Sequence, residues 1–297
     1  MKKLREWVVC GFLETLGIVV RSVPRPAAIS AGVMIGDLLF FFSGHDRARM
    51  RNNFRIAFPS MESPARRRLA RACLRHFGIG VIEVLLLPLL TRRRANRLVS
   101  LEGKHLLDAA FERGRGTILL TAHLGNWELL GAALAINGYP INVIARELAW
   151  ERLDRILVRY RTSAGMTIIY RGSAVKESLR ALHRNGMMGM LADVDTNVNG
   201  VFLNFLGRPA LTATGPAALA EKTGATILPI FCIRQENNTY RTIVFPPLPL
   251  PSGGNREENF TTVMKAYNDL LESLIRAHPE QWIWMHPRWK TERPKAG

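Results

Sequence analysis

An α/β fold is what this sequence predicts: a mostly parallel central sheet flanked by helices, with an N-terminal hydrophobic helical membrane-attachment segment. Two patterns predict it. From residue 115 onward, short apolar runs rich in β-branched residues alternate with helix-length segments, the rhythm of βαβ units and a parallel sheet. Residues 1 to 43 instead hold two long apolar stretches, Trp7–Val20 and Ala27–Phe42, broken by Arg21-Ser-Val-Pro-Arg-Pro26. No linker rich in Gly, Pro or Ser divides the remainder of the chain. The expected organisation is a membrane-associated helical segment over 1–45 and a single domain over 46–297.

Glu14 and Asp37 keep both early stretches from being clean spans of about 20 apolar residues. Attachment to a membrane fits them better than a signal peptide, because no small-residue cleavage site follows and the chain stays apolar well beyond. Lys2, Lys3 and Arg5 hold the starting end on the cytoplasmic side.

Residues 46 to 97 carry thirteen arginines and no lysine against Asp46, Glu62 and Glu83, more than half of the chain's net charge of +17. The apolar run Ile79–Leu90 interrupts them. Solvated helix faces are the ordinary explanation of such runs. Arginine to the exclusion of lysine leans toward phosphate, since the guanidinium fork matches phosphate oxygens. Alternation of basic and apolar segments also suits an anionic membrane surface. Nucleic acid is not an expected partner: no zinc finger, RNA-binding aromatic signature or helix-turn-helix is found.

The expected strands of the larger region are 116–122, 141–145, 166–170, 187–192 and 225–233, with helices over 126–137, 149–163, 173–185 and 213–222. Tyr240–Phe245 and Trp282–Met285 read as edge strands around a long amphipathic helix over 256–277.

His123 stands where the first strand ends. Gly125-Asn126 breaks the run, Asn126 or its neighbour caps the next helix, and Glu128 falls in that helix's first turn. On one helix a five-residue spacing would point the two side chains roughly 140° apart. Across a turn they can converge. A histidine held by a carboxylate takes a proton from a hydroxyl, and the helix N-terminus beside it favours negative charge. One His near one Glu also arises by chance, and a buried His bonded to a backbone carbonyl is commoner than a general base. Arg146 and Asp193 strengthen the case, because they too follow strands, and ligands of open α/β sheets bind beyond the strands' carboxyl ends.

Other chemistries leave no trace. The glycines lack the spacing of a phosphate loop, no Gly-x-Ser-x-Gly elbow exists, and the remaining histidines have no paired spacing for a metal. Cys10, Cys73 and Cys232 form neither a disulfide framework nor a zinc pattern, which favours a reducing compartment. No cofactor and no metal is expected.

Three ordered stretches carry a resemblance: Thr121-Ala-His-Leu-Gly-Asn-Trp-Glu128; Phe202-Leu-Asn-Phe-Leu-Gly-Arg-Pro-Ala210 with Thr212–Leu219 and Lys222-Thr-Gly-Ala225; and His278-Pro-Glu-Gln-Trp-Ile-Trp-Met-His-Pro-Arg-Trp-Lys290. Weaker likeness runs back through Arg51-Asn-Asn-Phe54. With these the sequence resembles the bacterial late acyltransferases of lipid A biosynthesis, within the lysophospholipid acyltransferase superfamily. The resemblance implies an O-acyltransferase domain over 46–297, working at the cytoplasmic face of the inner membrane. Its acyl donor would be acyl carrier protein, and its acceptor the hydroxyl of an anionic lipid A precursor or related glycolipid.

In the family's terms His123 is the general base and Glu128, of the His-x4-Glu box, its partner. Asp193 is the rival for that role. Asn126, Arg146 and Arg208 are the candidate substrate-binding residues, and the N–H groups from Gly125 to Trp127 the candidate oxyanion donors. Two alternatives stay open: an acyltransferase acting on lysophospholipids, other glycolipids or aminolipids, and a non-catalytic protein binding anionic lipid or nucleic acid through the same arginines.

Overall fold

The computed structural model of the chain describes residues 2–196, 199–251 and 253–292; the side chains of Lys2 and Arg5, expected to hold their end in the cytoplasm, lie outside that description. The two early apolar stretches become α1 (Lys2–Ser22) and α2 (Arg25–Phe42), split at Pro24, whose ring cannot continue a helix. The arginine-rich region folds as α3 (Gly44–Ala57), α4 (Ser63–Leu86) and α5 (Arg92–Leu98). Next come β1 (Val99–Glu102), α6 (Lys104–Glu112), β2 (Thr117–Thr121), α7 (Trp127–Ile136), β3 (Ile141–Ala145) and α8 (Glu151–Ser163). They are followed by β4 (Thr167–Tyr170), α9 (Ala174–His183) and β5 (Met187–Leu191). A hairpin of β6 (Gly200–Phe205) and β7 (Arg208–Ala213) leads to α10 (Gly215–Thr223), β8 (Thr226–Arg234), β9 (Tyr240–Val244) and α11 (Arg256–Ala277).

The described residues form a seven-stranded sheet in the order β1-β9-β8-β2-β5-β3-β4, parallel throughout except for the β8–β9 pair. Parallel strands need crossovers, and the crossover helices cover both faces. That is why β2 is apolar without alternation and buried along its whole length. Ile118 and Leu120 join a core with Phe231, Tyr267 and Trp282, whereas Leu119 joins the opposite core with Leu130, Ile141 and Met187.

Two expected edge strands are corrected. Residues 240–244 do form β9, but it lies inside the sheet, because Val99–Glu102 pairs along its outer side and takes the edge. Residues 282–285 are no strand. Trp284 N–H donates to Trp282 O and His286 N–H to Ile283 O, so the segment curls, touching Leu124 by one bridge.

Helices α1 and α2 pack on α4 and α8 around Cys10, Val20, Ala28, Ile82 and Tyr160. The α2–α4 crossing is backbone against backbone. A Cβ on Gly32 would stand 2.7 Å from Ile79 Cα, one on Gly36 2.3 Å from Arg75 Cα, and one on Gly78 2.2 Å from Gly32 O. Only glycine permits that approach. Asp37, on the same face, is gripped by the Nε atoms of Arg71 and Arg75, each at 2.7 Å. The other face of the pair stays uncovered: Trp7, Phe12, Ile18, Met34 and Phe41 are exposed, and Phe42 is 84% exposed.

Candidate active site at the end of the second strand

Strands β2 and β5 run side by side with Thr121 level with Leu191. His123 and Asp193 each lie two residues beyond those partners, so register alone brings both to one sheet edge. There the His123 backbone N–H donates to Asp193 Oδ2 at 2.9 Å, and His123 Nδ1 meets Asp193 Oδ1 at 2.9 Å. Trp282 Nε1–H adds a bond to Oδ2 at 2.8 Å. Asp193 is fully buried. Burial pushes its carboxyl up, but the His123 ring and the bonds from His123 and Trp282 together pull harder and hold it below the ordinary carboxylate range. An ionised Asp193 accepts only, so His123 Nδ1–H donates to it and Nε2 takes no part in that bond.

Four contacts staple the turn beyond β2. Tyr267 hydroxyl donates to Thr121 O at 2.7 Å, Ile283 N–H to His123 O, Gly125 N–H to Gln281 O and Asn126 N–H to Cys232 O. Gly125 adopts φ +65° and a Cβ there would fall 1.9 Å from Cys232 O. Glycine is therefore required twice over, by conformation and by space. Since the Gly125 and Asn126 N–H groups are used internally, they are not the oxyanion donors that the sequence led us to expect.

Glu128 does not reach His123. Its carboxylate takes a two-pronged grip from Arg161, Nη2 at 2.6 Å and Nε at 2.9 Å, and a further bond from Trp127 Nε1 at 3.2 Å. The Trp127 ring itself stands edge-on to the imidazole, 4.9 Å between centroids. Asn126 is likewise corrected from a substrate contact: it is buried, its Oδ1 caps α7 by accepting from Leu129 N–H at 2.8 Å, and its Nδ2 donates to Glu83 at 2.7 Å.

Behind the turn, sequence reasoning missed a buried network on α4. His76 Nε2–H donates to Gly125 O at 3.0 Å, while Nδ1 accepts from Arg234 at 2.9 Å. The assignment follows because arginine can only donate. Burial first, and Arg234 beside it, push this imidazole down to about 3. Glu83 accepts from Arg25, Asn126 and the Tyr240 hydroxyl, yet burial still holds its carboxyl above the usual range. A lone acid inside the apolar run Ile79–Leu90 was the available signal, since such a group needs a partner.

A cavity of about 950 Å³ opens beside His123. Leu119, Leu130, Leu134, Ile141, Val143 and Met166 supply apolar lining between the sheet and α7. Charged lining comes from Arg146, Arg161, Arg171, Lys222 and Arg256, with Glu128 and Asp154. Arg146 thus lines the cavity beside His123. Arg208 does not: it is exposed at the start of β7 and lines no part of this cavity. Among the described residues no group of His, Cys, Asp or Glu is arranged to hold a metal ion. The arrangement suits a base withdrawing a proton beside an apolar chain.

The chain is 30% identical over 224 residues to the phosphatidylinositol mannoside acyltransferase of Mycobacterium tuberculosis H37Rv, covering 73% of this chain and 69% of that one. It is 26% identical over 296 residues to the lipid A biosynthesis lauroyltransferase of Escherichia coli K12, covering 98% and 94%. The crystal structure of the 1-acyl-sn-glycerophosphate acyltransferase PlsC from Thermotoga maritima aligns with a TM-score of 0.37 at 13% identity, over 83% of this chain and 97% of that one. Residues 1–291 match the family described as bacterial lipid A biosynthesis acyltransferase. The chain belongs to that family and is an acyltransferase of the lipid A or glycolipid type.

Proposed function

We propose that this protein moves a fatty acyl chain from the thioester of acyl carrier protein to a hydroxyl of a lipid A precursor or related glycolipid, at the cytoplasmic face of the inner membrane. One observation carries the reading: His123, paired with the ionised Asp193, lines a largely apolar cavity of about 950 Å³. An alcohol is a poor nucleophile at neutral pH until a base takes its proton. His123 Nε2 accepts that proton as the alcohol oxygen attacks the thioester carbon. The C–S bond then breaks and the imidazolium returns the proton to the departing sulfur. Asp193 stabilises the imidazolium and fixes the tautomer.

The first-turn N–H groups of Trp127 and Glu128 have no acceptor within α7 and are the remaining backbone donors for the oxyanion. Arg146 holds a phosphate of donor or acceptor, joined by Arg171 and Lys222 of the same cavity. Residues 1–45 serve as the attachment segment. Each exposed apolar side chain of α1 and α2 that enters lipid contributes about 1.5–3 kcal/mol, and the exposed Arg51 and Arg55 of α3 are available to anionic headgroups. The charge of +17 also suits an acidic carrier protein.

His123→Ala tests the reading. Transfer should fall by roughly 10²–10⁴-fold in a variant that still folds cooperatively, and near wild-type turnover in that variant would end the proposal. The greater identity to a phosphatidylinositol mannoside acyltransferase favours a second acceptor class, a mannosylated phosphoinositide or kindred glycolipid. Mass spectrometry of lipids from cells lacking the protein decides between them by which lipid loses an acyl chain.

A further inference from the structure

Glu83 joins two parts of the molecule that are far apart in sequence. It is 5% exposed, on α4, and its Oε1 accepts from Arg25 Nη2 at 2.6 Å. Its Oε2 accepts from Asn126 Nδ2 at 2.7 Å and from the Tyr240 hydroxyl. Arg25 is the first residue of α2, the helix whose uncovered face presents Met34, Phe41 and Phe42. Asn126 is the cap of α7, three residues beyond His123. A buried carboxyl stripped of one donor must lose a hydrogen bond or take up a proton, so neither end can shift without cost at the other. The glycine contacts of α2 with α4 make that half of the connection stiff. On the other side, His76 holds Gly125 O from the same helix, so α4 grips the turn at two consecutive residues.

We infer that Glu83 is a positioning residue which ties α2 to the cap of α7, so that the seat of the N-terminal helix pair on a lipid surface sets the alignment of His123. The inference rests on His123 being the base. With the apolar face in lipid, α2 is held, Arg25 stays on Glu83, and the turn keeps His123 on Asp193. With α2 displaced, Glu83 loses its cation, Asn126 loses a fixed acceptor and the first turn of α7 frays. Transfer then depends on docking through geometry and not only through delivery of substrate.

Hydrogen exchange on the full chain reads this directly. In Arg25→Met, amides 126–130 should exchange about tenfold faster than in wild type while those of β3 and β4 keep their rates, and Arg25→Lys should restore them. Phosphatidylglycerol vesicles should slow the same amides in wild type and leave Arg25→Met unaffected. Turnover is read with an acyl-carrier-protein thioester and a lipid extract of the cells that make the protein. In Arg25→Met kcat should drop about tenfold with the donor KM unchanged. Asn126→Ser, which still caps α7, should match it, and the double variant should be no slower than the slower single.

Unchanged exchange at 126–130, acceleration spread over the whole chain, or a loss confined to KM would overturn the inference. Should Arg25→Met not fold, Asn126→Ser carries the same comparison, with Arg25→Lys as its intact control. A His123→Ala variant that still turns over removes the base and leaves the exchange result standing; a dead His123→Ala beside a fully active Arg25→Met removes the connection alone.

Discussion

His123 and His76 meet the same turn, residues 123–126, one as its first residue and the other through Gly125 O. His123 borders the cavity and rests on a carboxylate; His76 is buried and rests on the guanidinium of Arg234. A cation beside a buried imidazole excludes the proton, whereas an anion welcomes it. The buried ring, His76, is therefore held unprotonated and keeps a backbone carbonyl in place, while His123 stands at the cavity on its carboxylate. The same contrast separates the two acids near His123. Asp193, 70 positions away in sequence, bonds to it twice, whereas Glu128, inside the His-x4-Glu box, is spent on Arg161. Sequence proximity did not choose the partner; strand register did.

The sharpest break of this comparison is between the acids. Asp193→Asn should lower kcat by roughly 10³-fold, because an amide at that place favours the wrong tautomer. Glu128→Gln should cost about tenfold, the worth of one bond to a charged group, through misplacement of Arg161. Steady-state kinetics in both variants decides, and a larger loss in Glu128→Gln would reverse the assignment. His76→Gln sharpens the contrast between the imidazoles.

Between pH 6.5 and about 3 the unfolded chain binds a proton that the folded His76 excludes. Stability must then fall as pH falls, by about 1.4 kcal/mol per pH unit for this one group. Asp193 works in the same direction, being held below its ordinary range when folded, so its stabilisation is lost as acid titrates it. Urea melts from pH 7.5 to 5 should show the slope in wild type and a shallower one in His76→Gln. The smallest expected effect is ionic. Salt raised from about 50 to about 500 mM should lower kcat/KM a few-fold with kcat little changed, if the basic surface steers an acidic carrier.

The sheet was largely legible because its inner strands are buried on both faces and read as unbroken apolar runs between turn residues. Strand β1 was not, since Val-Ser-Leu-Glu is short and half exposed, and only its pairing to β9 makes it a strand. The β6–β7 hairpin hid for a different reason. Its turn uses Leu206 at φ +51° and Gly207 without an Asn-Gly signal, and Pro209 stands inside the second strand. Of the site, the strand-end rule placed His123, Asp193 and Arg146, because it depends on topology that the alternation reveals. It could not place Glu128, whose direction depends on how α8 presents Arg161. Nor could it find Glu83 or His76, whose roles exist only once α4 has been laid against the turn.

The glycine seam between α2 and α4 bears on how this molecule can be handled. Cutting the chain near residue 43 to obtain a soluble fragment would bare Gly78 and the apolar flank of α4 and strand the Glu83 carboxylate without its arginine. The product would trade one greasy surface for another. For the same reason an unrelated helix is no substitute for α2: its Arg25 holds Glu83, which in turn holds Asn126 at the turn after His123.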